Sequence, residues 1–106
     1  MEPTAGNRFR RHDQFAQARR GLRGEILALR YELELLDQAL RAGSAPISAR
    51  VSLAQAFTHL RAAQHAWQVV RQPADMLMII SRVDNARDAL EASVAARARG
   101  ATYAGA

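Results

Sequence analysis

The first quarter of the chain is crowded with arginine, and the chemistry that arginine offers is anion binding. Residues 8–23 contain six arginines and only one acid, Asp13. The guanidinium group is a planar fork of donors that matches phosphate, so six such contacts would give strongly salt-dependent binding to DNA or RNA. The same segment could instead dock on an acidic protein, or simply form a solvated face. The candidate anion-binding residues are Arg8, Arg10, Arg11, Arg19, Arg20 and Arg23.

The charge of the chain is unevenly distributed. All fifteen basic residues are arginine, and the formal net charge is +5. Residues 1–30 carry seven arginines against three acids, whereas residues 31–106 carry eight against seven. Proline, glycine and asparagine fall within the first seven residues. The pattern therefore predicts a flexible basic N-terminal segment over residues 1–12.

Residue types that support catalysis or metal binding are sparse. The chain has no cysteine and three histidines. Two of these, His59 and His65, are six positions apart and point to different sides of a helix, so they cannot share a metal. A glycine-rich phosphate loop and a nucleophile–base signature are both missing from the sequence. We expect no enzymatic activity, no cofactor, no metal and no small-molecule substrate.

A leucine seam on the first helix is the element around which the others are organised. Leucine or isoleucine recurs over residues 22–40 with alternating spacings of four and three, which is a heptad pattern. The seam could drive self-association, or it could pack against later helices of its own chain, and short connections favour the second alternative. The seam consists of Leu22, Ile26, Leu29, Leu33, Leu36 and Leu40.

Two further helices follow the leucine seam. The second has a stripe that alternates large and small residues, and its alanine line would let a neighbouring helix approach closely. That stripe is Ala49, Leu53, Ala56, Leu60, Ala63, Trp67 and Val70. Pro73 and Asp75 indicate the start of a third helix, which favours an antiparallel hairpin over one kinked rod. Its predicted apolar side is Met76, Ile79, Ile80, Val83, Ala86, Leu90 and Val94, and Gly100 is predicted to end it.

These patterns predict an all-α fold with one helical domain over residues 13–100. Its helices should span approximately 13–42, 46–72 and 73–99, followed by a disordered tail over 101–106. The architecture is an up-down-up three-helix bundle, or a helical hairpin with a long first helix that could complete its core by oligomerisation. The longest apolar run is five residues, and the N-terminus has no apolar signal region, so we expect no membrane association and a cytoplasmic location.

The function that these features favour is a small, non-enzymatic helical interaction or adaptor protein. It would self-associate or bind a protein partner through its heptad faces, for example as an accessory subunit of a phage or secretion assembly. The alternatives are a nucleic-acid-binding protein using the arginine-rich segment, and an inhibitor covering an acidic or nucleic-acid-binding surface of a partner. The acids Asp84, Asp88 and Glu91 could form a solvated face or receive the basic segment of another copy. The predicted interface is Leu22, Ile26, Leu29, Leu33, Leu36, Leu40, Leu53, Leu60 and Trp67.

Overall fold

Three α-helices account for almost all of the described backbone. The computed structural model describes the backbone of residues 3–105 and the side chains of residues 13–100. Helix α1 spans Pro3–Ala42, α2 spans Ile47–Val69 and α3 spans Met76–Gly105, with a short 3-10 turn at Pro73–Asp75 before α3. Because this described range contains no strand, the predicted all-α fold is confirmed. Helix α1 begins ten residues earlier than the sequence pattern indicates, and α3 continues past Gly100.

The helices run up, down and up. Arg19, in the first half of α1, lies beside Trp67 near the end of α2, so these two helices are antiparallel. Ser93, late in α3, bonds to Ala49 at the start of α2, which makes the second pair antiparallel as well. The antiparallel hairpin of α2 and α3 that the sequence favoured is therefore confirmed. Its connection is held by Asp75, whose Oδ2 accepts a hydrogen bond from the backbone N–H of Arg71 at 3.3 Å.

The leucine seam of α1 forms the part of the core that α1 contributes. Each of its six aliphatic side chains is at least nine-tenths buried against the hairpin below, and Leu33 is fully enclosed. Full burial of one such side chain contributes about 1.5–3 kcal/mol relative to exposure. The seam thus anchors α1 along the stretch from Leu22 to Leu40. We call it the inner seam; its residues are Leu22, Ile26, Leu29, Leu33, Leu36 and Leu40.

Helices α2 and α3 approach one another more closely than either approaches α1. The alanine line of α2 is fully buried, as is Ala86 of α3, and such small side chains allow helices to pack closely. The predicted apolar side of α3 is correct for Met76, Ile79, Val83 and Ala86, which are buried, and wrong for Ile80 and Val94, which are exposed. Ser93 is buried where Val94 was expected, because its hydroxyl donates a 2.7 Å hydrogen bond to the Ala49 carbonyl.

Gly100 has a packing role rather than the terminating role that the sequence suggested. Helix α3 passes through this residue without interruption and continues to Gly105. A Cβ atom built at Gly100 would lie 2.8 Å from Cγ of Pro46, closer than carbon atoms tolerate. The residue therefore makes room for the proline ring where α2 begins.

The molecule is a rod. Its Cα extents are 73 × 21 × 17 Å and its radius of gyration is 18.4 Å, against about 13 Å for a compact chain of this length. Helix α1, with 40 residues, accounts for about 60 Å of this length at 1.5 Å per residue. Phe15 is the first described side chain of α1 that packs on the core. The twelve helical residues before it add roughly 18 Å of α1 at a rise of 1.5 Å per residue.

Candidate functional site

Trp67 ties the end of α2 to the first half of α1. Its indole Nε1–H donates a 2.8 Å hydrogen bond to the carbonyl of Arg19. The guanidinium of Arg19 lies over the indole with Cζ 4.3 Å from the ring centroid, and the Cζ of Arg23 lies 5.7 Å away. This cation–π arrangement explains how an arginine occupies a position on the apolar side of α1. It also leaves the half-buried Trp67 as a structural tie between the two helices.

The arginines predicted to bind anions are therefore not equivalent. Arg19 is half-buried, and its Nη2 donates to the Trp67 carbonyl at 3.5 Å, so it is held within the chain. Arg20 and Arg23 are exposed beside it. The remaining three candidates, Arg8, Arg10 and Arg11, belong to the helical backbone of α1, but their side chains lie outside the described residues.

The other titratable residues do not converge on a reactive site. Among the residues whose side chains are described, no three histidines, aspartates or glutamates come close enough to hold a metal ion. His59 contacts Arg82 through Nδ1 at 3.4 Å, across the α2–α3 boundary. The acidic stripe of α3 is exposed, and the helix-surface pairs in the described range lie on α1, between Arg30 and Glu34 at 3.1 Å and between Arg41 and Asp37 at 3.0 Å. None of the helices described is long and apolar enough to span a bilayer.

The residues predicted to form an interface lie mostly in the interior of their own chain. All six of the inner seam, together with Leu53 and Leu60, are buried, and only Trp67 retains partial exposure. Of the two alternatives that the sequence left open for the inner seam, packing within the chain is the one found in the structure. A partner can reach these side chains only by displacing α1 from the hairpin.

A second apolar stripe lies on the opposite side of α1 and faces solvent. Three large side chains dominate it: Leu27 is 52% exposed, Tyr31 64% and Leu35 47%. Around them runs a series with spacings of three and four, every member of which is exposed. At 100° per residue its mean direction is roughly 150° from that of the inner seam. We call this series the outer seam; its residues are Gly21, Gly24, Ala28, Tyr31, Leu35, Gln38 and Ala42.

The outer seam carries no charge and contains glycines that the monomer does not need. No glycine in the described residues has a positive φ, and a Cβ built at Gly21 or Gly24 meets no atom within 4 Å. Glycine in a helix interior costs about 1 kcal/mol relative to alanine. Neither backbone conformation nor packing within the chain therefore accounts for these two residues. An uncharged strip that contains exposed Tyr31 and Leu35, with Leu27 beside it, is suited to close approach by another helix.

The outer seam is present in the sequence as a pattern, although the leucine pattern conceals it. Its alternation of three and four becomes visible only when glycine, alanine and glutamine are counted with Tyr31 and Leu35. Considered alone, Gly21 and Gly24 read as residues that weaken the helix. The exposure of their neighbours is what identifies them as part of a surface.

Comparison of the chain with protein-family models, with curated proteins and with solved structures finds no match. Any functional inference for this chain therefore depends on its own residues. Described surfaces that offer chemistry to a partner include the outer seam of α1, with its exposed apolar side chains, and the exposed Arg20 and Arg23 of the same helix.

Proposed function

We propose that this chain is a non-enzymatic helical interaction protein, of the adaptor or assembly-subunit kind, that binds a partner helix along the outer seam of α1. The observation that carries the proposal is the exposure of Leu27, Tyr31 and Leu35 on a helix face that bears no charge along its centre. Exposed apolar patches with polar rims mark interaction sites on soluble proteins. Here the rim is supplied by Arg20 and Glu34 on one flank.

The opposite rim supports the same proposal. Glu25 and Glu32 follow the seam on the flank that faces α3, and both are exposed. Beyond Glu32, a groove between α1 and α3 adds Leu35 and Val94 to one apolar surface. A helix is the partner that best fits a straight strip with heptad spacing, because its own side chains recur at the same intervals.

Site-specific photo-crosslinking of the full chain, in the cells that produce it, tests this proposal. A photoreactive phenylalanine analogue at Leu35 should give a discrete adduct, whereas the same analogue at Gln55, an exposed residue of α2, should not. Adding Tyr31→Glu to the Leu35 variant should abolish the adduct, because it places a charge in the centre of the seam. Equal labelling from both positions, or an adduct that survives Tyr31→Glu, would contradict the proposal.

Nucleic-acid binding is a second candidate, favoured by the continuation of the α1 backbone for twelve residues before Phe15, the first described side chain that packs on the core. Arg20 and Arg23 are exposed near the base of this extension. With Arg19 held by Trp67, five arginines remain for phosphate contacts. Five contacts would weaken binding about 500-fold between 50 and 200 mM salt, against about 2 × 10³-fold for six.

Fluorescence anisotropy with duplex and single-stranded oligonucleotides at those two salt concentrations tests the second candidate. Arg20→Gln should weaken binding and reduce the salt dependence, whereas Arg61→Gln on α2 serves as the matched control. Binding that is unaffected by Arg20→Gln, or undetectable at 50 mM salt, would leave the arginine cluster as a solvated or protein-docking face.

A further inference from the structure

The outer seam changes in residue size along the helix, and this gradient carries the inference. Its first three positions are the small residues Gly21, Gly24 and Ala28, its next three are the larger Tyr31, Leu35 and Gln38, and Ala42 ends it. A seam with three small positions followed by three larger ones leaves gaps when it meets a surface of even height. Its best complement is a seam with the reverse gradient, and the same seam on an antiparallel copy has that gradient.

We infer that the partner of the outer seam is a second copy of this chain, bound antiparallel so that Gly24 faces Leu35 and Ala28 faces Tyr31 of the other copy. In this register the two residue numbers of every facing pair have the same sum. Each contact therefore occurs twice, once on either side of a two-fold axis. Gly21 then faces Gln38. The inference rests on the proposed function, because it names the occupant of the same surface.

The parallel arrangement of two copies is less favourable on sterics. It would place glycine on glycine and alanine on alanine at one end, and Tyr31 on Tyr31 at the other. The bulky end would hold the helices apart and leave the small end unfilled, which forfeits contact along half of the seam. The antiparallel register fills each small position with a large side chain.

Charge contributes to the choice in two opposing ways. In the antiparallel register Glu25 lies near Glu32 of the other copy, and Arg20 lies near Arg41, so both flanks carry exposed like-charge pairs. Such pairs cost little at solvent-exposed sites and are screened by salt. The parallel arrangement instead sets the two arginine-rich N-terminal ends, each with a net charge of +4 over residues 1–30, side by side. Separation of these ends and the packing gain favour the antiparallel dimer.

Cysteine pairing distinguishes these arrangements cleanly, because the natural chain has no cysteine. The full chain is prepared as Gly24→Cys and, with a C-terminal tag that changes its mass, as Leu35→Cys. The two are mixed under mild oxidation and separated on a non-reducing gel. The inference predicts the mixed product as the major species. Two copies of Gly24→Cys alone should not join, because their Cα atoms would be separated by roughly 16 Å along the axis.

Each other outcome has a definite meaning. Joining of Gly24→Cys to itself would overturn the antiparallel register in favour of a parallel one. No cross-linked product in any mixture at 200 µM protein would overturn the second copy as occupant. If that happens while the analogue at Leu35 still gives a Tyr31-dependent adduct in cells, the proposed function stands with a different partner. If both experiments fail, the outer seam binds no helix.

Discussion

The two seams of α1 share a heptad spacing and differ in what covers them. The inner seam is uniformly leucine and isoleucine and is buried by the hairpin of the same chain. The outer seam is graded from glycine to tyrosine and faces solvent. The spacing of residues therefore predicts that a helix face packs against another surface. The sizes of those residues indicate what kind of surface that is. Uniform large side chains fill the broad surface of α2 and α3, and graded ones suit a single helix of reversed gradient.

The largest difference between the seams should appear in folding stability. Leu33→Ala removes a fully buried side chain of the inner seam and should lower the free energy of unfolding by about 2–5 kcal/mol. Leu35→Ala removes the same atoms from the outer seam, where the side chain is half exposed, and should change it by less than about 1 kcal/mol in dilute solution. Urea denaturation of both variants at low micromolar concentration measures the contrast. Equal losses would mean that α1 is not docked through the inner seam.

A size swap on the outer seam should break and then restore association. Gly24→Leu overfills the contact with Leu35 of the other copy, at a cost of about 1–3 kcal/mol at each of two symmetric contacts, so the dimer should weaken at least about 30-fold. Adding Leu35→Ala to the same chain should recover most of the affinity, because the large and small partners have only exchanged places. Sedimentation equilibrium measures both variants. Failure of the second change to rescue the first would contradict the antiparallel register.

Replacing each of two glycines by alanine should change the free energy of unfolding by a smaller amount, and in opposite directions. Gly100→Ala pushes a methyl group against Pro46 and should lower the free energy of unfolding by about 1–3 kcal/mol. Gly24→Ala meets open space in the monomer and should raise it by up to about 1 kcal/mol through helix propensity. Thermal unfolding in dilute solution checks both. A loss of stability in Gly24→Ala would show that the residue is required by the monomer fold.

The smallest expected effect on stability concerns the contact of Trp67 in α2 with Arg19 and Arg23 in α1. Trp67→Phe keeps an aromatic ring but removes the donor that bonds to the Arg19 carbonyl at 2.8 Å, so the free energy of unfolding should fall by about 1 kcal/mol. Arg23→Gln removes the more distant cation and should change it by less than about 0.5 kcal/mol. Chemical denaturation of the two variants compares them. An effect of Arg23→Gln as large as that of Trp67→Phe would assign the tie to cation–π attraction instead of the hydrogen bond.

Much of the fold could be predicted because its rules are local. The leucine spacing of α1 and the Pro73–Asp75 helix start each depend on neighbouring residues, and both agree with the structure. Ser93 and Gly100 could not be assigned in this way. Their roles depend on Ala49 and Pro46, which are more than forty positions away in the chain, and no local pattern indicates those contacts.

The candidate site was harder to predict than the fold for a related reason. The sequence showed that a heptad seam exists, but exposure decides whether its residues are available to a partner. Only the packed bundle reveals that Leu33 is enclosed while Tyr31, two positions earlier, is exposed. Arg19 likewise resembles its basic neighbours until Trp67, forty-eight positions later, is found against it.

The most direct test of the division between the two seams is the mass of the full chain by sedimentation equilibrium at concentrations from 10 to 200 µM, a range of about 20-fold. The wild-type chain and Gln55→Glu should approach twice 11.7 kDa as the concentration rises, whereas Tyr31→Glu should remain at 11.7 kDa with unchanged helical circular dichroism. A wild-type chain that stays at 11.7 kDa throughout, or a Tyr31→Glu variant that dimerises like the control, would contradict the account.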